Sequence, residues 1–387
     1  MINTRDYKAR TELVERNNGK VEGVWEIALD AGYSESKIFS PNMYGCFPSF
    51  AKRIPEEVEF TTKTPANAIQ YRDEDGNLWA VGELAYNKLE RGDTSDSEAA
   101  LFGRERYISP SWKVMTDAGL ALGMLKNNHG GPDSNDRFFI QTGLPERYLS
   151  DSDELIGSLA GAHRFSLKIG GRPWQNFSFG ISKDDIAVMS QPKGTLFSVC
   201  IDRNGKMHPE AHMYLTSSGL VFDPGFGTLD VFPVINGAVG QGETFSDLGM
   251  KRVMQETAKL IKERYGEDLS VIQLQKDLES GKIRHVDLRR FKSEEYPFAD
   301  LLETATKMVC DEAIERLATS ISLADYNYMI VTGGTGAAWY PYIQEKFKDF
   351  TTIKLIKGNQ NDNLPFLYAN CRGYYLYRYN KLARDAK

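Results

Sequence analysis

Two short apolar runs, about 190 residues apart, each lead into an acidic glycine turn and out again into a second apolar run. The first passes from Val24 to Leu29 through Asp30-Ala31-Gly32 and returns at Lys37 to Phe39. The second passes from Leu220 to Phe222 through Asp223-Pro224-Gly225-Phe226-Gly227-Thr228 and returns over Leu229 to Val234. Apolar runs of this length bounded by glycine read as strands, so each copy is a β-hairpin. A third turn, Gly333-Gly334-Thr335-Gly336, follows the apolar strand Tyr328 to Thr332 and precedes a helix. A polyphosphate needs backbone N–H groups aimed at it, and glycine lets the main chain approach closely and adopt positive φ. Taken singly, each turn is also an ordinary β-turn. The ordered set points to an α/β chain with an internally duplicated phosphate-type turn.

Local signals fill in the remainder. Ala68 to Gly82 alternates around Asp75-Gly76 and predicts another hairpin. Ser109 to Lys126 opens Ser-Pro, a capping serine followed by a proline suited to a first helical turn, and carries apolar residues at helical spacing. Strands are expected at 138–141, 165–169, 177–181, 186–189 and 196–201, and helices near 152–162, 247–264, 270–280 and 298–320.

The 387 residues suffice for two or three domains at about 150 residues each. With 41% hydrophobic and 26% charged residues the chain has the material for a sizeable core, which excludes global disorder. Lys and Arg number 47 against 53 Asp and Glu, so the net charge of −6 lacks a basic footprint for direct nucleic-acid binding. The cluster Arg284, Arg289, Arg290 and Lys292 alternates with acids and reads as a solvated helix face. Cys46, Cys200, Cys310 and Cys371 lie far apart, with no C-x-x-C pair to suggest zinc or a redox dithiol. His208 and His212 have a chelating separation but no evident third ligand, and read as a surface turn or helix start. A polar N-terminus and the lack of any 18-residue apolar run lead us to expect a cytoplasmic protein with no membrane partner.

In order and approximate separation, the three turns resemble the two phosphate loops and the adenosine loop of the actin/Hsp70/sugar-kinase ATPase superfamily. Within it the chain most resembles bacterial actin-like proteins of the plasmid-partitioning ParM type, from about residue 23 onward. Phe47-Pro48-Ser49, Gly82-Glu83-x-Ala85, Gly143-Leu144-Pro145 and Phe366-x2-Ala369-Asn370-x2-Gly373-Tyr374 carry that resemblance in sequence order. It implies an α/β, actin-like fold, a duplicated ribonuclease H-like architecture with two domains around a nucleotide cleft. The expected division is a charged leader 1–22, domain I over 23–215 plus 357–387, and domain II over 216–356.

The resemblance also implies roles. The carboxylates of Asp30 and Asp223 would face the phosphates and share Mg2+, partly through its waters. Lys37 would place a point charge near the β-phosphate, although alone it also reads as a strand-edge lysine. N–H groups around Gly32, Tyr33 and Ser34, and from Gly225, Phe226, Gly227 and Thr228, would hold phosphate oxygens. Gly333, Gly334, Thr335 and Gly336 would approach the adenosine and α-phosphate. Gln191, just beyond a strand end, would orient water in line with the γ-phosphate, the alternative being a turn residue before Pro192.

The function implied is an ATPase, with GTP a possible substrate, whose nucleotide state controls head-to-tail self-assembly into filaments. Plasmid DNA segregation would follow, with a small DNA-binding adaptor linking filament ends to a centromere-like site. The alternative is a small-molecule kinase of the same superfamily, acting on a sugar or an acid. It would need a carboxylate base such as Asp151 or Asp202, a role the amide of Gln191 does not fill.

Overall fold

The computed structural model describes residues 2–88, 104–287 and 289–385. The chain divides into two compact units. The larger comprises Ala9–Ala211, Asn361–Leu364 and Tyr368–Lys387, and the smaller Met1–Lys8, His212–Gln360 and Pro365–Leu367. The segment expected as a charged leader is folded: Thr4–Tyr7 is a 3-10 turn of the smaller unit, and Glu12–Glu15 is a strand of the larger. Tyr7 anchors that turn, with its hydroxyl accepting from Thr306 Oγ1 at 3.3 Å.

In the larger unit the strands are β1 (Glu12–Glu15), β2 (Val24–Ala31), β3 (Glu35–Ser40), β4 (Met43–Pro48), β5 (Ala51–Ile54), β6 (Ile69–Asp73), β7 (Leu78–Val81), β8 (Arg137–Leu144), β9 (Gly161–Ile169), β10 (Gln175–Ile181) and β11 (Ile186–Ser190). One sheet runs β1-β4-β3-β2-β8-β11, and another runs β10-β9-β6-β7-β5. β2, β8 and β11 are mutually parallel, which brings their carboxyl ends to one edge. β2 is buried on both faces, so it reads as a near-continuous apolar run. One face carries Ile27 and Leu29 against helix α1 (Pro110–Met124), where Gly123 and Gly119 allow close approach. On the other face, Cys371 of the C-terminal helix (Ala369–Asp385) donates its thiol to the Ala28 carbonyl. Ser109 caps α1 as its sequence suggests, with Oγ accepting from Trp112 N at 3.1 Å.

Two elements differ from the sequence reading. Residues 196–201, expected as a strand, belong to helix α3 (Gln191–Cys200) except for Ile201, while α2 (Ser152–Leu159) stops before Gly161 opens β9. A short apolar run fits either period, and tertiary contact decides it. Here α3 packs on the C-terminal helix through Gly194 and Gly373, where a Cβ at Gly373 would overlap the Gly194 carbonyl.

The smaller unit has β12 (Gly219–Pro224), β13 (Leu229–Ile235), β14 (Ala238–Val239), β15 (Glu243–Phe245), β18 (Tyr328–Val331) and β19 (Lys354–Lys357) in one sheet, in the order β14-β13-β12-β18-β19, with β15 also on β13. Helices α4 (Met250–Tyr265), α5 (Val271–Asp277), α6 (Ala299–Ser320) and α7 (Gly334–Phe347) enclose a core that includes Leu220, Phe222, Val253, Leu274, Val309, Ile314 and Trp339. The basic cluster lies on a hairpin rather than a helix. Arg284 is in β16 (Lys282–Asp287), Lys292 opens β17 (Lys292–Pro297), and Arg289 and Arg290 are in the turn. Local pairing within the hairpin explains the alternation of signs: Arg284 meets Glu295 across the strands at 3.5 Å, and Arg290 meets Asp287 within the turn at 3.7 Å. Among the described residues no helix is long and apolar enough to cross a membrane.

Candidate functional site

Loop 1 joins β2 to β3 in the larger unit. Antiparallel pairing sets Asp30 opposite Lys37, and Lys37 Nζ stands 3.5 Å from Asp30 Oδ2. Asp30 is only 4% exposed, and its Oδ1 has no hydrogen-bond partner among the described residues. A buried carboxylate oxygen left unpaired carries a desolvation cost, so this atom is placed to receive a ligand or the water of a bound cation. Gly32 N donates to Asp30 O at 3.0 Å, and a Cβ on Gly32 would stand 2.8 Å from Lys37 Nζ and 2.9 Å from Glu35 O. The glycine is therefore required by close approach. Tyr33 and Ser34 form the tip. Ser34 O accepts from Ser49 N at 2.8 Å, so the Phe47-Pro48-Ser49 segment braces the loop. Beneath the hairpin, burial pushes the Cys371 thiol well up, and its Sγ donates to the Lys37 carbonyl at 3.4 Å.

Gln191 lies at the same edge of that sheet. It opens α3 directly after β11, two strands from β2, with its side chain half-buried. Carboxyl ends of parallel strands are where α/β folds place ligand-contacting groups. Ser190 occupies the cap position but makes no side-chain capping bond, and its buried Oγ has no hydrogen-bond partner among the described residues. The sequence reading passed over this serine, although a Ser-x-Pro step at a strand-to-helix junction marks it. Tyr374 packs against Gly143 and Gly194, while Thr195 Oγ1 donates to Asn370 Oδ1 at 2.7 Å. Two segments noted in the sequence, Gly143-Leu144-Pro145 and the C-terminal one, thus meet around the helix that carries Gln191.

Loops 2 and 3 belong to the smaller unit and lie together, because parallel pairing of β12 with β18 brings Asp223 and Val331 to one end of the sheet. Loop 2 closes with Gly225 N donating to Thr228 O at 2.7 Å. The first turn of α4 satisfies its own N–H groups on this loop, Met250 N to Gly225 O at 3.1 Å and Lys251 N to Phe226 O at 2.8 Å. Thr335 Oγ1 also donates to Gly225 O, at 2.7 Å. Gly333 has φ +77°, and a Cβ there would stand 2.6 Å from both Asp223 Oδ1 and Pro224 O. Asp230, register partner of Asp223, is buried and accepts from Thr228 Oγ1 at 3.1 Å, which fixes the far side of loop 2.

The larger unit therefore gathers Asp30, Gly32, Tyr33, Ser34 and Lys37 in one hairpin, with Gln191 at the same sheet edge. The smaller unit gathers Asp223, Gly225, Phe226, Gly227 and Thr228 with Gly333, Gly334, Thr335 and Gly336. Each set combines a buried carboxylate with a glycine turn, and the larger unit's set adds Lys37. Among the described residues no cluster of three or more metal-ligating side chains occurs.

Comparison with solved structures places this architecture. A ParM described as the pCBH non-polymerisable quadruple mutant superposes with a TM-score of 0.70 at 20% identity, covering 92% of this chain and 99% of that one. A 15-stranded ParM filament from Clostridium botulinum gives 0.66 at 20% identity with the same coverage. The archaeal actin homolog Ta0583 in complex with ADP gives 0.59 at 12% identity, covering 92% of this chain and all of the other. No protein-family model and no curated protein sequence matches the chain.

Proposed function

The chain has the actin-like fold, and from that premise we propose a filament-forming ATPase of the ParM type. The observation that carries the reading is the pair of buried carboxylates at equivalent strand ends, Asp30 on loop 1 and Asp223 on loop 2, the first beside Gly32, where close approach requires glycine, and the second beside Gly333, where close approach and positive φ both do. ATP, with GTP as the alternative nucleotide, is bound through N–H groups of Tyr33 and Ser34 and of Phe226 to Thr228, while the Gly32 and Gly225 N–H groups close their own turns on Asp30 O and Thr228 O. Lys37 faces the β-phosphate, and Gly333 to Gly336 approach the nucleoside side. Asp30 on loop 1 and Asp223 on loop 2 are the residues that would hold Mg2+, partly through its waters, and the metal would supply charge neutralisation at the phosphate oxygens. Gln191 orients the attacking water. Its amide does not accept a proton as a base would, so its contribution is alignment, which a loose phosphoryl transition state chiefly needs.

The partner that follows is a second copy of the chain, joined head to tail in an open filament. The ParM filament from Clostridium botulinum supports this reading. We assign the assembly to the cytoplasm and to plasmid DNA segregation, with a small DNA-binding adaptor at a centromere-like site. An acidic subunit of net charge −6 suits a filament that leaves base reading to its adaptor.

Light scattering of purified protein after addition of Mg-ATP, with pelleting, negative-stain microscopy and phosphate release on the same sample, tests the proposal. Scattering that requires nucleotide and decays as phosphate appears is expected. Phosphate release also separates hydrolysis from transfer to a sugar or acid acceptor. Bound ATP without assembly over a wide protein range would remove the filament reading.

A further inference from the structure

Loop 1 is held by a residue that none of the glycine signals marks. Arg106 lies in the 3-10 turn Arg104–Ile108 and is 8% exposed. Its Nη2 donates to the carbonyl of Ala31 at 2.9 Å, across 75 residues of sequence. Its guanidinium carbon is 4.4 Å from the centroid of the Tyr33 ring and 4.6 Å from that of Trp112. The cation is thus sandwiched between a loop-tip aromatic and a core aromatic, an arrangement that suits a planar, weakly hydrated guanidinium and not an ammonium.

Both anchors of this clamp are rigid. Trp112 is 2% exposed, and its indole Nε1 donates to Ser158 Oγ at 3.0 Å. The backbone of Arg106 is fixed from α1, with Ser109 N and Ser109 Oγ both donating to the Arg106 carbonyl, at 3.0 and 2.8 Å. The carbonyl that accepts from Arg106 belongs to the Ala31–Gly32 peptide group, whose N–H turns back onto the Asp30 carbonyl at 3.0 Å. Fixing that oxygen fixes the peptide plane, while stacking on Tyr33 fixes the next residue but one.

We propose that Arg106 is a positioning residue for nucleotide binding: it holds the Gly32–Ser34 tip in the conformation that receives phosphate oxygens, and phosphate affinity depends on it. The inference rests on the nucleotide reading of loop 1. Arg106 acts on loop 1 through Ala31 and Tyr33. Its loss therefore weakens ground-state binding more than it slows the chemical step.

The test uses the full chain with Arg106→Lys, which keeps the charge, and Arg106→Ala. Hydrogen exchange across residues 30–38 is measured without nucleotide, and Mg-ATP binding by calorimetry. In Arg106→Lys the tip amides should exchange faster, and the ATP dissociation constant should rise about tenfold, the loss expected for one charge-assisted hydrogen bond. KM should rise while kcat stays within a factor of about three. Millimolar methylguanidinium should restore ATP affinity to Arg106→Ala by refilling the space between Tyr33 and Trp112; if Arg106→Ala fails to fold, the lysine variant carries the test. Unchanged tip exchange, or faster exchange with unchanged ATP affinity, overturns the proposal. Wild-type protein that binds no nucleotide overturns the nucleotide reading and the inference with it, an outcome distinct from a wild type that binds and a variant that binds equally.

Discussion

Gly333→Ala isolates the contact on which loops 2 and 3 depend. Two glycines of the smaller unit share a positive φ but differ in ψ: Gly266, at φ +74° and ψ 8°, is left-handed helical, whereas Gly333, at φ +77° and ψ 158°, lies in a region essentially confined to glycine. An alanine in the left-handed conformation of Gly266 costs about 1–2 kcal/mol, one in the conformation of Gly333 about 1–3 kcal/mol, each offset by about 0.4–1 kcal/mol from the reduced freedom of the unfolded chain. At Gly266 the account ends there, because a Cβ would meet no described atom within 4 Å. At Gly333 the same Cβ would stand 2.6 Å from Asp223 Oδ1 and from the Pro224 carbonyl, too close to stand and partly against backbone. Overpacking of this kind adds about 1–3 kcal/mol. Gly333→Ala should therefore unfold more readily than Gly266→Ala by about 5- to 150-fold in the folding equilibrium. Urea unfolding followed by tryptophan fluorescence reads this, since buried Trp339 lies in α7, the helix that Gly333 caps. Mg-ATP binding should be lost in Gly333→Ala, where the Asp223 carboxylate is displaced, and kept in Gly266→Ala. Equal midpoints for the two variants would refute the steric argument, and equal ATP affinity would refute the role given to Asp223.

Other expectations follow from single contacts. Gln191→Ala should lower phosphate release about tenfold or more while ATP affinity changes little, giving longer-lived assemblies; an unchanged rate would leave Gln191 a mere helix-opening residue. Gly373→Ala should destabilise the larger unit by about 3 kcal/mol, at the upper end of overpacking costs, because the new Cβ overlaps the Gly194 carbonyl; a melting temperature equal to wild type would contradict the packing of α3 on the C-terminal helix. Glu26, in the middle of β2, has both carboxylate oxygens buried without a hydrogen-bond partner among the described residues. Burial pushes its carboxyl well above the usual range against the opposing pull of Arg378, so the folded state retains a proton that the unfolded chain releases. Stability from this group is present at acid pH and falls as pH rises above the ordinary carboxylate range, by up to about 1.4 kcal/mol per pH unit until the raised value is reached. Glu26→Gln should accordingly be more stable than wild type at pH 8, with the gap closing towards pH 5; denaturant midpoints across that range check the sign.

Much of the candidate site was legible because its signals are local. An acidic residue at a strand end, a glycine two positions on and a returning strand specify a hairpin whatever surrounds it, and both hairpins formed at the expected places. Capping at Ser109 and the glycine turn before α7 are equally short-range. Where a segment's state depended on a remote neighbour, the reading went astray. Residues 196–200 became helix through contact with a C-terminal helix more than 170 positions away, and the basic cluster became a hairpin whose charges pair across strands.

The sequence by itself determined the α/β class, the order of the glycine turns and the residue types those turns carry, since these follow from backbone freedom, period and charge over a few residues. Only the tertiary structure decided which groups lie beside them. Burial of Asp30 Oδ1 without a partner, the Asp223 contact beneath Gly333 and the Arg106 clamp on Ala31 and Tyr33 all arise from long-range packing. The physical reason is that capping and turn hydrogen bonds and glycine conformation act within a turn of chain, whereas side-chain clamps, desolvation and steric exclusion depend on everything that fills the surrounding volume.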